Sequence, residues 1–187
     1  MTDHLYGHFV GDPITRWLIN PDGEDLAMEL LSDFRFIAPD GVTWEAPVGS
    51  IIDGASIPRA LWSVVGSPYV GNYRRATIVH DVACQRAKET RDSELRRAGD
   101  KMFYWACLAS GCDEAQASIL YLGVRVGAVW PAVDPSEFTI LQRRVRRVLE
   151  HPSMPRRQGD PAQVETATDI VLPRILEMEE LPGHPLR

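Results

Sequence analysis

The chain has 187 residues, 44% of them apolar and 25% charged, with a formal charge of −6. That is the composition of a soluble globular protein with room for one domain and an appendage. The acidic balance gives no support for non-specific binding to nucleic acid, and with no charge-free run of 18 apolar residues no transmembrane helix is expected.

The first residues, MTDHLYGHFVGDP, have neither a basic n-region nor an apolar h-region, so no secretory signal is expected. Turn signals follow at Asp12-Pro13 and at Asn20-Pro21-Asp22-Gly23. Across 28–52 the apolar residues alternate around Pro39-Asp40-Gly41, with Phe34 and Phe36, then Val42 and Trp44, two apart. This spacing predicts a β-hairpin or small antiparallel sheet.

From Pro58 onward the period becomes helical. A short helix is expected from Pro58 to about Val65, with Ser56 near its cap and Gly66-Ser67-Pro68 ending it. A second runs from Tyr73 to about Lys88, through Ala76, Val79, Ala83 and Arg86. A third, 93–110, is capped by Thr90 or Asp92-Ser93, carries Leu95, Met102, Phe103 and Ala106 on one face, and ends at Gly111. A fourth spans 113–129, with Ala117, Leu120, Val124 and Ala128 together, and Trp130-Pro131 stops it. A fifth, about 135–150, sets Phe138, Leu141, Val145 and Val148 opposite Arg143, Arg144, Arg146 and Arg147. That basic run is read as a solvated face, since acidic residues follow closely.

After His151 the stretch 152–187 is rich in proline and turns acidic. The expectation is an α+β fold: a small N-terminal antiparallel sheet packed on a bundle of four or five helices. The domain would cover 1–151, β-rich over 1–52 and helical over 53–151. An extended tail, 152–187, would lie on a neighbour or stay mobile.

Chemistry concentrates at His80-Asp81. On a helix these side chains diverge by about 100°, so each needs its own partner, because an unpaired carboxylate in apolar surroundings is costly. Asp100, on the next helix, is the candidate partner for His80. It would fix the tautomer and leave the other ring nitrogen free to take a proton. Asp81 would ligate a hard cation together with carbonyl oxygens of the Asp53-Gly54 loop. The expected constellation is therefore His80 as base, Asp100 as orienter, and Asp81, Asp53 and Gly54 as a calcium site polarising a carbonyl under attack by water.

The ordered segments "DGASIPRALWSVVG", "RRATIVHDVAC", "GDKMFYWAC" and "ILYLGVRVGA" resemble a phage and prophage family of unknown function. The similarity covers about 28–130. Over 53–127 the order also resembles the small bacterial and fungal secreted phospholipase A2 enzymes. The resemblance implies His80 as base, Asp81 with Asp53 and Gly54 at calcium, Asp100 holding the histidine, and Arg125 in the final motif without an assigned role. Two departures stand out: Cys84 replaces a tyrosine, and Ala55 replaces a disulfide cysteine.

Other readings stay open. His80, Asp81 and Asp100 can form a structural polar network, and Asp53 can be a turn residue. His80 and Cys84, four apart, supply two ligands for a soft metal, without an obvious third. A phosphohydrolase of the HD type would need a further upstream histidine on a helix. Only His4 and His8 precede the pair, and these, with His151 and His184, are expected in solvent. Most of Trp44, Trp62, Trp105, Trp130, Tyr69 and Tyr73 are read as core. Cys84, Cys107 and Cys112, odd in number, are read as reduced, buried thiols in a reducing cytoplasm.

Two functions follow from the resemblance. One is a calcium-assisted hydrolase of lipid-like esters. The other is a non-catalytic virion component (tail, baseplate or connector) whose arm, 152–187, binds other phage structural proteins. Synthesis in the host cytoplasm, with virion association, is the expected location.

Overall fold

A computed structural model describes residues 5–21, 27–54, 57–58, 61–65, 70–129, 138–150 and 161–177. Among these residues six short strands come first: β1 (His8–Val10), β2 (Thr15–Trp17), β3 (Met28–Leu30), β4 (Phe34–Ile37), β5 (Thr43–Ala46) and β6 (Ile51–Ile52). Six helices follow: α1 (Trp62–Val65), α2 (Arg74–Thr90), α3 (Ser93–Ala109), α4 (Glu114–Val129), α5 (Phe138–Leu149) and α6 (Pro161–Glu177). The class is mixed α+β, as the change of period implied. The β part is two antiparallel three-stranded sheets, ordered β1-β4-β5 and β2-β3-β6.

The expected hairpin is β4–β5, in register Phe36 with Trp44 and Phe34 with Ala46. Its turn closes because Gly41 takes φ +84°, open to glycine, and Asp40 Oδ1 accepts the Val42 amide at 3.0 Å. Phe34 and Phe36 are buried while Arg35 between them is exposed. Val42 falls just outside the strand and is 48% exposed. The sheets' buried faces meet α2, which packs on β4, β5 and β6.

Helix α2 ends at Arg91, a non-glycine residue at φ +54° that donates its amide back into the last turn. Asp92 then caps α3 by accepting the Leu95 amide at 2.9 Å. So tight a connection folds α3 back along α2, and this is the most extensive helix pair. A glycine permits the closeness: a Cβ at Gly99 would lie 3.2 Å from the Cβ of Ala83. Helix α4 is buried on several faces, through Leu120, Tyr121, Leu122, Val124 and Val126, because α1, α3 and α6 all pack on it. Arg86, expected on the apolar stripe of α2, is exposed. On α5 Arg143 and Arg146 are exposed, but Arg144 is buried. His8, in β1, is half-buried.

Within the stretch read as a tail, 161–177 is helical and docks on the domain. Val164, Ala167 and Thr168 are buried in the α3, α4 and α5 contact. Arg97 pairs with Glu165 (2.8 Å) and Asp169, and Lys101 reaches Glu165 at 3.3 Å. Residues 55–56, 66–69, 130–137, 151–160 and 178–187 lie outside the described residues, as do His4, His151 and His184. The side chains of Phe138, Leu141, Val145 and Val148 are likewise outside them.

Two outcomes follow. Gly99→Val should wedge α2 from α3 and cost roughly 1–3 kcal/mol in urea denaturation; unchanged stability would show that the close approach is slack. Burial pushes the Glu165 carboxyl up, but hydrogen bonds from Arg97 and Lys101 outweigh it and hold it below the usual range. Its contribution is therefore full above about pH 4.3 and is lost as pH falls through the lower folded value. Glu165→Gln should be less stable than the parent by about 0.5–1 kcal/mol at neutral pH, the two melting curves converging in acid.

Candidate functional site

Helix α2 carries the three side chains around which the site is built: His80, Asp81 and, one turn on, Cys84. His80 and Asp100 are both 0% exposed, and the folding of α3 along α2 brings them together. His80 Nε2 lies 2.8 Å from Asp100 Oδ1. A carboxylate can only accept, so Nε2 carries the hydrogen and Nδ1 is the ring nitrogen facing away from Asp100. Cys84 Sγ lies against the ring, 3.4 Å from Nε2 and 3.7 Å from Nδ1. Phe103 covers the ring, with centroids 4.7 Å apart.

Asp100 is held by more than the histidine. Arg96, one turn earlier on α3, donates from Nε to Oδ1 at 3.1 Å, and Arg125 of α4 donates from Nη1 to Oδ2 at 3.0 Å. Arg125 Nη2 also faces Asp169 of α6 at 3.9 Å. Burial alone would raise the Asp100 carboxyl, but His80, Arg96 and Arg125 hold it below the ordinary carboxylate range. For His80, burial opposes charge. The Cys84 sulfur beside the ring and the Asp100 hydrogen bond outweigh it and push the imidazole up to about 10. The enclosure therefore favours positive charge on the ring.

Asp81 faces another way, toward the chain leaving β6. Its Oδ2 accepts the backbone amides of Asp53 (3.1 Å) and Gly54 (2.9 Å). The loop thus turns N–H groups, not carbonyl oxygens, toward that oxygen. Calcium takes six to eight oxygens, and two amide donors on Oδ2 do not fit an ion bound there. Asp53, Gly54 and Asp81 do come together, as one clasp between strand and helix.

Beside the clasp lies a cleft of about 790 Å³. Asp81 and Cys84 form one part of its wall; Lys88, Arg91 and Arg96 bring positive charge, Asp53 and Asp92 negative charge, and Trp62 an aromatic surface. His80 and Asp100 do not line it; they stand behind Cys84 and Arg96. Sequence reasoning missed the parts played by Arg96 and by Arg125. The i, i+4 spacing of Arg96 and Asp100 was the available signal for the first. The second needed the packing of α4 on α3.

The segment carrying the site is shared with other proteins. Residues 28–124 match the family described as "Protein of unknown function (DUF1353)". Over 120 residues, 64% of this chain, it is 35% identical to "Uncharacterized protein y4jT" of Sinorhizobium fredii (strain NBRC 101917 / NGR234), covering 34% of that protein. Over 121 residues it is 34% identical to "Uncharacterized protein y4iH" of the same organism, covering 48% of it. The chain thus spans a third to a half of the length of these relatives. No solved structure matches it. With just over half its length inside the match, and His80, Asp81, Cys84 and Asp100 all within it, the chain belongs to the DUF1353 family of unknown function.

Proposed function

We propose that the domain is an acyl-ester hydrolase of the phospholipase A2-like kind, acting on amphiphilic esters with an anionic head. The observation that carries the proposal is the 2.8 Å pairing of His80 Nε2 with Asp100, directly behind the wall of a cleft. In this reading Asp100 fixes the ring, and Nδ1 takes a proton from water arriving past Cys84. The water oxygen bonds to the ester carbonyl carbon, the acyl–oxygen bond breaks, and the leaving alkoxide takes the proton from His80. Lys88, Arg91 and Arg96 would attract an anionic head and Trp62 would meet an acyl chain. No step is assigned to calcium.

One observation favours a second reading. His80 is wholly enclosed, as a polar clamp in a non-catalytic part of a larger assembly would be. A phage particle is the assembly suggested by the motif order.

The test uses the purified chain on phosphatidylglycerol vesicles and on short-chain soluble esters, with calcium or with chelator. Turnover is expected, with a loss of about 100-fold or more in His80→Asn, whose retained fold is checked by circular dichroism. No turnover on either substrate, or full turnover in the folded variant, overturns the hydrolase. The chelator arm tells whether the Asp53-Gly54-Asp81 loop needs a cation. Stoichiometric presence of the chain in purified particles would instead support the assembly part.

The pH profile gives a second outcome. A base must be neutral to accept a proton, and His80 holds its own up to about 10. Activity should therefore climb with pH toward about 10. Cys84→Ala removes the sulfur that helps hold the ring's proton and should move the rise to lower pH. A profile already flat at neutral pH would exclude His80 as the base.

A further inference from the structure

Three ligand atoms of different chemistry converge behind the cleft wall. A ring nitrogen of His80, the Cys84 sulfur and a carboxylate oxygen of Asp100 all lie within 4.8 Å of one another, the one such group among the described residues. His80 Nε2 is 2.8 Å from Asp100 Oδ1 and 3.4 Å from Cys84 Sγ. Around a tetrahedral zinc, with bonds of about 2.0–2.3 Å, neighbouring ligand atoms stand roughly 3.3–3.8 Å apart. The nitrogen–sulfur gap already has that span, and the nitrogen–oxygen gap needs to open by only about 0.5 Å.

We propose that His80, Cys84 and Asp100 form a three-ligand site for a borderline-soft divalent metal ion, zinc being the best match. Thiolate and imidazole select zinc-like ions over calcium and magnesium, which prefer oxygen. Arg96 and Arg125 already hold the carboxylate in place, the role that outer partners of a ligating group perform. Cys84 borders the cleft, so an ion has an entry side, and water has a route to the fourth position from the same side. Starting from the imidazolium and the thiol, binding releases the Nε2 and Sγ protons to solvent and moves no electron; Nδ1 keeps its hydrogen, leaving a neutral ring. The site goes beyond the hydrolase reading and excludes one part of it, since an ion on Nε2 replaces the hydrogen bond to Asp100. A loaded enzyme would use metal-bound water in place of the imidazole.

The test is titration of the metal-free full chain with cobalt(II), followed by displacement with zinc. One ion per chain is expected, with a thiolate-to-cobalt charge-transfer band that zinc bleaches. Cys84→Ala, its fold checked by circular dichroism, should lose the band and bind at least about 100-fold more weakly. Asp81→Asn should keep both. Absence of the band, or its persistence in Cys84→Ala (which would trace it to Cys107 or Cys112), overturns the site. Turnover is scored separately. Stoichiometric binding without turnover leaves the site standing and removes the hydrolase; turnover without the band does the reverse.

Discussion

A carboxylate sealed from water must be surrounded by donors, and Asp100 meets that constraint with His80 from α2, Arg96 from its own helix and Arg125 from α4. An unpaired charge at such a position would cost several kcal/mol. The three helices are thus arranged around one anion as much as around the apolar surface they share. The donors also divide the oxygens between them, two on Oδ1 and one on Oδ2. That division fixes the plane of the carboxylate and, through it, the plane of the imidazole.

Adjacent residues on α2 do different work because the helix turns between them. His80 reaches inward to α3, while Asp81 reaches toward the end of β6 and holds two consecutive amides. Gln85, one turn further, donates to the carbonyl of Ile51 at 2.6 Å. One helix face is therefore laced to the strand that enters the loop. The cleft owes its shape to that lacing, since the clasped loop and the start of α3 both border it.

Much of this was legible in the sequence, and the limits have physical causes. The boundaries of α2, α3 and α4 could be read because a 3.6-residue period persists for four turns and because Asp92 and Gly111 are strong end signals. The hairpin could be read from Phe34, Phe36 and Trp44 around a Pro-Asp-Gly turn. Strands β1 and β2, three residues each, are too short to show a period. Helix α6 was hidden by Pro161 and Pro173. The first opens the helix, where a missing amide costs nothing, and the second sits inside it. At the site, the pairing partner of His80 could be guessed from helix order. The amide clasp on Asp81 could not, because the sequence does not say whether a loop presents its N–H or its C=O groups. Nor could it reveal that Cys84 has Asp100 within reach, since that depends on how closely Gly99 lets two helices lie.

Arg125 stands one residue past the end of the family match at 124, yet it closes the shell around Asp100 and faces α6 through Asp169. The innermost groups of the cluster thus belong to the common segment, while one of its outer braces comes from the next residue along. Through that brace the docking of α6 is coupled to the buried carboxylate, so a change in how α6 sits reaches Asp100 without passing through the histidine or the thiol. The seating of a helix far along the chain thus tunes how firmly the cluster is gripped, and so how readily it exchanges protons or ions.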